Sequence, residues 1–224
     1  MARKPEYQEF HQRRFDYLWR LTRRFEPSAD RRVLDVGVGP FTHSLCGHYR
    51  DVFALTYRNE SGLFVDSELP EDKLIVFDLN LAYSRDRWIR MPQFDLIVFA
   101  EVIEHLFVPP EVSLGFLASA LVDGGKLICQ TPNATSLEKR IRMVTGHQPY
   151  DRKSAGHYRE FKKEELVEAG ARCGLKPVFH EFADYFGVRG SILKRGLGKL
   201  LHGVGTVAPT LRRGQTIVFS KEVP

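Results

Sequence analysis

At 224 residues, 43% hydrophobic and 27% charged, the chain has the composition of a soluble globular protein and room for one large α/β domain spanning 1–224, too little for two joined by a linker. No apolar run approaches the roughly 18 to 20 residues that span a bilayer, and the polar N-terminus lacks the apolar stretch of a signal peptide. Three widely spaced cysteines, Cys46, Cys129 and Cys173, offer neither a disulfide framework nor a paired metal motif, which fits a reducing cytoplasm. The net charge of +5 is uneven: +4 over residues 1–32, −5 over 33–184 and +6 over 185–224. Basic ends on an acidic body attract nucleic acid, a phosphorylated substrate or a lipid surface, although ordinary solvated helix faces explain the same charges.

In chain order, residues 5–25 set Phe10, Phe15, Leu18, Trp19 and Leu21 at roughly helical spacing among polar residues, which predicts an amphipathic helix ending before Pro27. Short apolar runs then alternate with helical patterns. Strands are predicted at 32–36, 52–57, 73–77, 94–99, 126–130, 177–182 and 216–220, and helices at 41–49, 110–121 and 162–173. Continuous apolar runs such as LIVF and DLIVFA belong to strands covered on both faces. The alternation implies an α/β fold: a seven-stranded, mostly parallel sheet with helices on both faces. Residues 134–161 and 187–213 fit it poorly and read as lids or substrate-side insertions.

Asp35-Val36-Gly37-Val38-Gly39 closes the first strand and precedes a helix, where an open parallel sheet binds its ligand. The glycines admit close approach of a ligand to backbone. Thr42 stands where a dinucleotide fingerprint requires its third glycine, so that fingerprint is incomplete. Downstream, Glu101-Val102-Ile103-Glu104-His105 follows the fourth strand. If that segment is helical, Glu101, Glu104 and His105 share a face as i, i+3 and i+4, and two carboxylates with an imidazole suit proton handling or a divalent ion, with His157 as a fourth ligand.

These segments together resemble the class I S-adenosylmethionine-dependent methyltransferases, with a Rossmann-like fold. VLDVGVGPFTHSL at 33–45 is similar to their first motif, FDLNL at 77–81 to the third-strand segment, FDLIVFAEVIEHL at 94–106 to the fourth strand and its loop, and GGKLICQTPN at 124–133 to the fifth. HYREFKKEELVEAGARCGLKPV at 157–178 resembles the later block of the ubiquinone-biosynthesis O-methyltransferases. The E-x-x-E-H pattern with a later histidine also resembles small-RNA 2′-O-methyltransferases, whose matching residues hold magnesium. The resemblance implies S-adenosylmethionine as cofactor, with Asp35, Gly37, Gly39, Thr56, Asp78, Leu79 and Glu101 around it and Asp78 near the adenine. It implies Glu104, His105 and His157 as catalytic, and a magnesium, manganese or zinc ion on Glu101, Glu104, His105 and His157.

Two departures stand out. Phe41 puts a bulky ring near the methionine end of the cofactor, and Thr56 replaces the usual ribose-binding acid, with Asn59 or Glu60 as substitutes. Tyr150 and Tyr158 are candidates for the acceptor pocket. Leu193, Leu197, Leu200, Leu201 and Val204 form a glycine-interrupted amphipathic stripe, so residues 190–204 read as a lid or as a peripheral membrane contact. The reading is an O-methyltransferase acting on a small-molecule hydroxyl of a sugar, catechol or quinone-like phenol. The alternatives are an RNA 2′-O-methyltransferase and a non-catalytic domain with a degenerate pocket.

Overall fold

The structure, a computed structural model, describes residues 5–59, 62–63, 69–149, 156–185 and 207–223. Its centre is a seven-stranded sheet of β1 (Arg32–Val36), β2 (Asp51–Thr56), β5 (Leu74–Val76), β6 (Phe94–Ala100), β7 (Leu121–Pro132), β8 (Leu175–Ala183) and β9 (Gly214–Lys221), in the order β5-β2-β1-β6-β7-β9-β8. Two short strands, β3 (Arg58–Asn59) and β4 (Gly62–Leu63), form a separate antiparallel pair. The first five sheet strands are parallel, and β9 lies antiparallel between β7 and β8. The seven predicted strands all appear. This is a Rossmann-like α/β fold.

The chain builds outward from β1 through β2 to β5, then crosses back to β6 on the other side of β1. The strand order therefore reverses between β1 and β6, and the crevice outside their carboxyl ends is where such sheets receive ligands.

Helices α1 (Pro5–Phe25), α2 (Pro40–Cys46), α3 (Pro110–Ser119), α4 (Leu137–Val144) and α5 (Lys163–Ala171) accompany the sheet. Alternation along β1 shows why both faces are covered. Leu34 and Val36 join the core beneath α3 and α5, where Leu114, Phe116, Leu117 and Leu166 are buried, while Val33 turns to the core beneath α1 and α2, with Phe15, Leu18 and Leu45.

One expectation, the helical face at 101–105, needs correction, and one helix was not foreseen: α4 forms within 134–161, the stretch read from the sequence as a lid or substrate-side insertion. Its sequence LEKRIRMV is strongly amphipathic, but none of its residues is buried, so neighbouring core sequence carried no sign of it. The segment 101–105 is not an α-helical face. Glu101 adopts φ 56°, the left-handed region unusual for a residue with a side chain, and only Ile103–His105 turn, as a 3₁₀ helix. The backbone must bend sharply there because β6 ends against the crevice. Residues 190–204, Tyr150 and Glu60 lie outside the described residues. The described cysteines are free thiols.

Candidate active site

Two cavities open at the carboxyl ends of β1 and β6. The larger, about 830 Å³, is walled by the Asp35–Phe41 loop, the inner face of α1, Lys139 of α4, and His157 and Glu160. The smaller, about 580 Å³, is walled by Thr56, Phe77, Asp78, Leu79, Phe107 and Tyr158. They share Val36, Gly37, Val38, Glu101, Val102 and His105.

The site is shaped first by the loop after β1. Gly37 has φ +115°, and a Cβ placed on it meets nothing within 4 Å, so its backbone faces open space. Thr42 ties the loop together: its hydroxyl donates to Asp35 Oδ2 at 2.7 Å and accepts from the Gly39 N–H at 3.0 Å. The threonine that spoils a dinucleotide fingerprint is thus the clamp of this loop. Burial raises the Asp35 carboxyl to about 7, against the opposing pull of the Thr42 hydrogen bond and the Arg14 charge. Phe41 lines the larger cavity and stacks on Phe15 of α1, with ring centroids 6.0 Å apart.

The second shaping element is the strained end of β6. Glu101 is pinned by its N–H to the Gln130 carbonyl at 2.8 Å, while its Oε1 is buried without a hydrogen-bond partner. Burial raises it to about 7. Glu104 is fully buried, accepts from the Thr131 hydroxyl at 2.9 Å, and is pushed well up by burial and then by the Glu101 charge. Its second oxygen, Oε1, also lacks a partner.

The block beginning at residue 156 is held against this turn. Tyr158 N–H donates to the Glu104 carbonyl at 2.9 Å, and His105 Nδ1 lies 3.1 Å from the Gly156 carbonyl. The rings of His105 and His157 meet edge to face with centroids 4.9 Å apart. His157 Nδ1 lies 3.0 Å from Glu160 Oε1, and Lys139 caps the other oxygen of Glu160. Burial lowers Lys139 to about 8.

The structure therefore brings Glu104, His105 and His157 together, with one ligand atom of each within 4.8 Å of the others. Glu101 lies outside that group of three, and its charge helps to push the buried Glu104 carboxyl up. Asp35, Gly37 and Gly39 line the larger cavity, Thr56, Asp78 and Leu79 the smaller, and Gly37 and Glu101 both. Asp78 also caps the turn Leu79–Tyr83 by accepting from Asn80 N at 2.9 Å. Tyr158 lies over the smaller cavity, in edge contact with Phe107.

Sequence reasoning passed over Glu160, Lys139, Arg14 and Arg213. The histidine-to-carboxylate spacing of i, i+3 in H-Y-R-E was a readable sign of Glu160. The other three reach the cavity from distant elements, with no local pattern to mark them.

The profile of the family described as "Methyltransferase domain" matches residues 7–180, more than half of the chain. The chain belongs to this methyltransferase family. No curated protein matches it as a relative. Among solved structures, a SAM-dependent methyltransferase from Archaeoglobus fulgidus is similar over 97% of this chain and 100% of its own, at 18% identity and TM-score 0.57. The N-methyltransferase NodS from Bradyrhizobium japonicum, in complex with S-adenosyl-L-homocysteine, is similar over 95% of this chain and 87% of its own, at 15% identity and TM-score 0.54. An S-adenosylmethionine-dependent methyltransferase from Clostridium acetobutylicum covers 95% and 92%, at 12% identity and TM-score 0.59. At such identities the likeness is one of fold. No helix among the described residues of this methyltransferase is long and apolar enough to cross a membrane.

Proposed function

We propose that this methyltransferase transfers the methyl group of S-adenosylmethionine to a hydroxyl oxygen of a small molecule, a sugar, catechol or quinone-like phenol. The observation that carries the reading is the His157–Glu160 pair in the wall of the larger cavity, an imidazole oriented by a buried carboxylate.

The residues present fit the methyl donor. Gly37 leaves open space above its backbone, and the unpartnered Oε1 of buried Glu101 suits a cationic group. The adenosyl half suits the smaller cavity, with Phe77 and Leu79 as apolar walls and Thr56 and Asp78 as polar groups. Asp35 and Glu101 would serve the amino acid half in the larger one, whose wall they help to form. When bound, the donor supplies an electrophilic methyl carbon on a sulfonium.

A hydroxyl is a poor nucleophile until its proton leaves, and imidazole is the side chain suited to take that proton near neutral pH. Glu160, bonded to Nδ1, would hold His157 in the Nδ1–H tautomer, with Nε2 the atom that takes the hydroxyl proton. The carboxylate also stabilises the imidazolium formed. Held by shared contacts with the Glu104 turn, the base stays in position while the crevice excludes water.

A second reading adds a divalent ion on Glu104, His105 and His157. It is favoured by their mutual proximity, by the open Oε1 of Glu104, and by the way each imidazole is oriented through Nδ1. Metal analysis of the purified protein tests it, and full activity after thorough chelation overturns it.

Incubation with radiolabelled donor and matched panels of phenols, sugars and amines tests the main reading. Label on hydroxyl compounds is expected. Label confined to amines overturns oxygen as the acceptor, and calorimetric titration showing no binding of donor or demethylated product overturns the enzyme itself.

A further inference from the structure

A third concavity lies away from the crevice, on the outer side of α1. This cleft, about 750 Å³, runs between α1 and the edge strand β8 and is lined by Arg13, Arg20, Arg24 and Arg212. Arg13, Arg20 and Arg24 are spaced i, i+7 and i+11, so they fall on one face of α1 and form a ladder about 16 Å long at the 1.5 Å rise of a helix.

Three carboxylates line the same cleft, each with a hydrogen-bond donor outside the ladder. Glu181 accepts from the Tyr17 hydroxyl at 2.7 Å, Asp16 from Gln12 at 2.8 Å, and Asp184 from the Arg213 backbone N–H at 3.1 Å. Among the described residues, none of Arg13, Arg20 and Arg24 forms an ion pair. Two of them are fixed on aromatic rings instead. Arg24 lies 4.9 Å from the Phe179 centroid and 5.2 Å from Phe25, and Arg20 lies 5.9 Å from Tyr17. A guanidinium laid on a ring loses less freedom when it binds, and its edge donors stay available to an oxyanion.

We propose that this cleft is a docking surface for the phosphodiester backbone of single-stranded RNA. The ladder is too long for one phosphate and suits a linear polyanion with regularly repeated charge. Arginine is the side chain best matched to phosphate oxygens. The basic excess of +4 over residues 1–32 adds a field of the same sign. Sequence neighbours connect the cleft to the crevice: Arg13 and Arg212 line the cleft, while Arg14 and Arg213 line the larger cavity. The docking stands whichever hydroxyl the crevice accepts.

Fluorescence anisotropy of a labelled short oligouridylate, measured across a salt series with the full chain, tests the proposal. Wild type is expected to bind at low salt. R13Q/R20Q/R24Q is expected to bind at least about tenfold more weakly, with a log–log salt slope shallower by about 2, since each lost phosphate contact on a single strand is worth about 0.7. The R13K/R20K/R24K variant, which keeps the charges, is expected to retain the wild-type slope. Absence of RNA binding by wild type, equal binding of polyglutamate, or an unchanged slope in the glutamine variant with an unaltered melting temperature overturns it.

Discussion

At the scale of single residues, the site concentrates strain and unmet polar demand at Glu101, and the proposed reaction asks His157 to handle the proton. A side chain at φ 56° costs on the order of 1 kcal/mol relative to glycine, and Glu101 adds a buried carboxyl oxygen without a partner. Glu101→Gly is therefore expected to raise the melting temperature of the ligand-free protein while weakening S-adenosylmethionine binding at least about tenfold. Differential scanning fluorimetry and calorimetric titration read the two effects, and a loss of stability would refute the strain argument. His157 and Glu160 divide their roles. His157→Ala is expected to lower kcat by about 10² to 10⁴ while leaving donor affinity nearly unchanged. Glu160→Gln is expected to lower kcat less, because the ring stays in place and loses only its tautomer and the countercharge. The His157 position was legible in the sequence. Glu160 was half legible, through its spacing, while Lys139 meets them only after α4 folds.

At the scale of elements, two helix glycines make opposite demands. A Cβ on Gly170 of α5 falls 2.7 Å from a ring carbon of Phe219, a fully buried residue of β9, so this glycine is what lets the helix sit down on the sheet. A Cβ on Gly115 of α3 has its nearest neighbour, Cys173 Sγ, at 3.4 Å. Gly170→Ala is expected to destabilise the protein, because overpacking of about 1 to 3 kcal/mol exceeds the helix-propensity gain of about 1. Gly115→Ala, which meets only ordinary contact, is expected to stabilise by up to about 1 kcal/mol. Urea midpoints of the two variants with equal slopes check both. The strands β1, β2, β6 and β9 were legible because they bury both faces and so appear as apolar runs. The geometry at 101–105 was not, because a left-handed residue with a side chain has no sequence sign and the E-x-x-E-H spacing reads equally well as a helix. Helix α4 was hidden for a related reason: it keeps no residue in the core, so its amphipathic pattern matched no partner in the predicted architecture.

At the scale of the whole molecule, the proposed function ties stability and ligand binding together through Asp35. Its carboxyl is held at about 7 when folded and returns to an ordinary value near 3.8 when the chain unfolds. Between those values the folded state keeps a proton that the unfolded state has released. The contribution to stability is thus fully present below about pH 4, falls as pH rises through the window, and is gone above about 7. The loss is on the order of a few kcal/mol, from about 1.4 kcal/mol for each unit of difference. Asp35→Asn keeps an acceptor for the Thr42 hydroxyl and removes the titration. Its melting temperature is expected to match wild type near pH 4 and exceed it by about 5 °C or more at pH 8, at roughly 2 to 4 °C per kcal/mol for a chain of this size. The same residue makes the reverse demand of a bound cation. An ammonium or sulfonium beside Asp35 favours the ionised form, so binding below pH 7 must expel the proton. Affinity for S-adenosylmethionine is therefore expected to rise with pH up to about 7 and level off, and Asp35→Asn to bind more weakly with a flat profile. Titrations in buffers of different ionisation heat count the proton directly. Release of a proton at pH 6 by wild type and not by the variant is the expected result, and equal release by both would detach Asp35 from the cofactor.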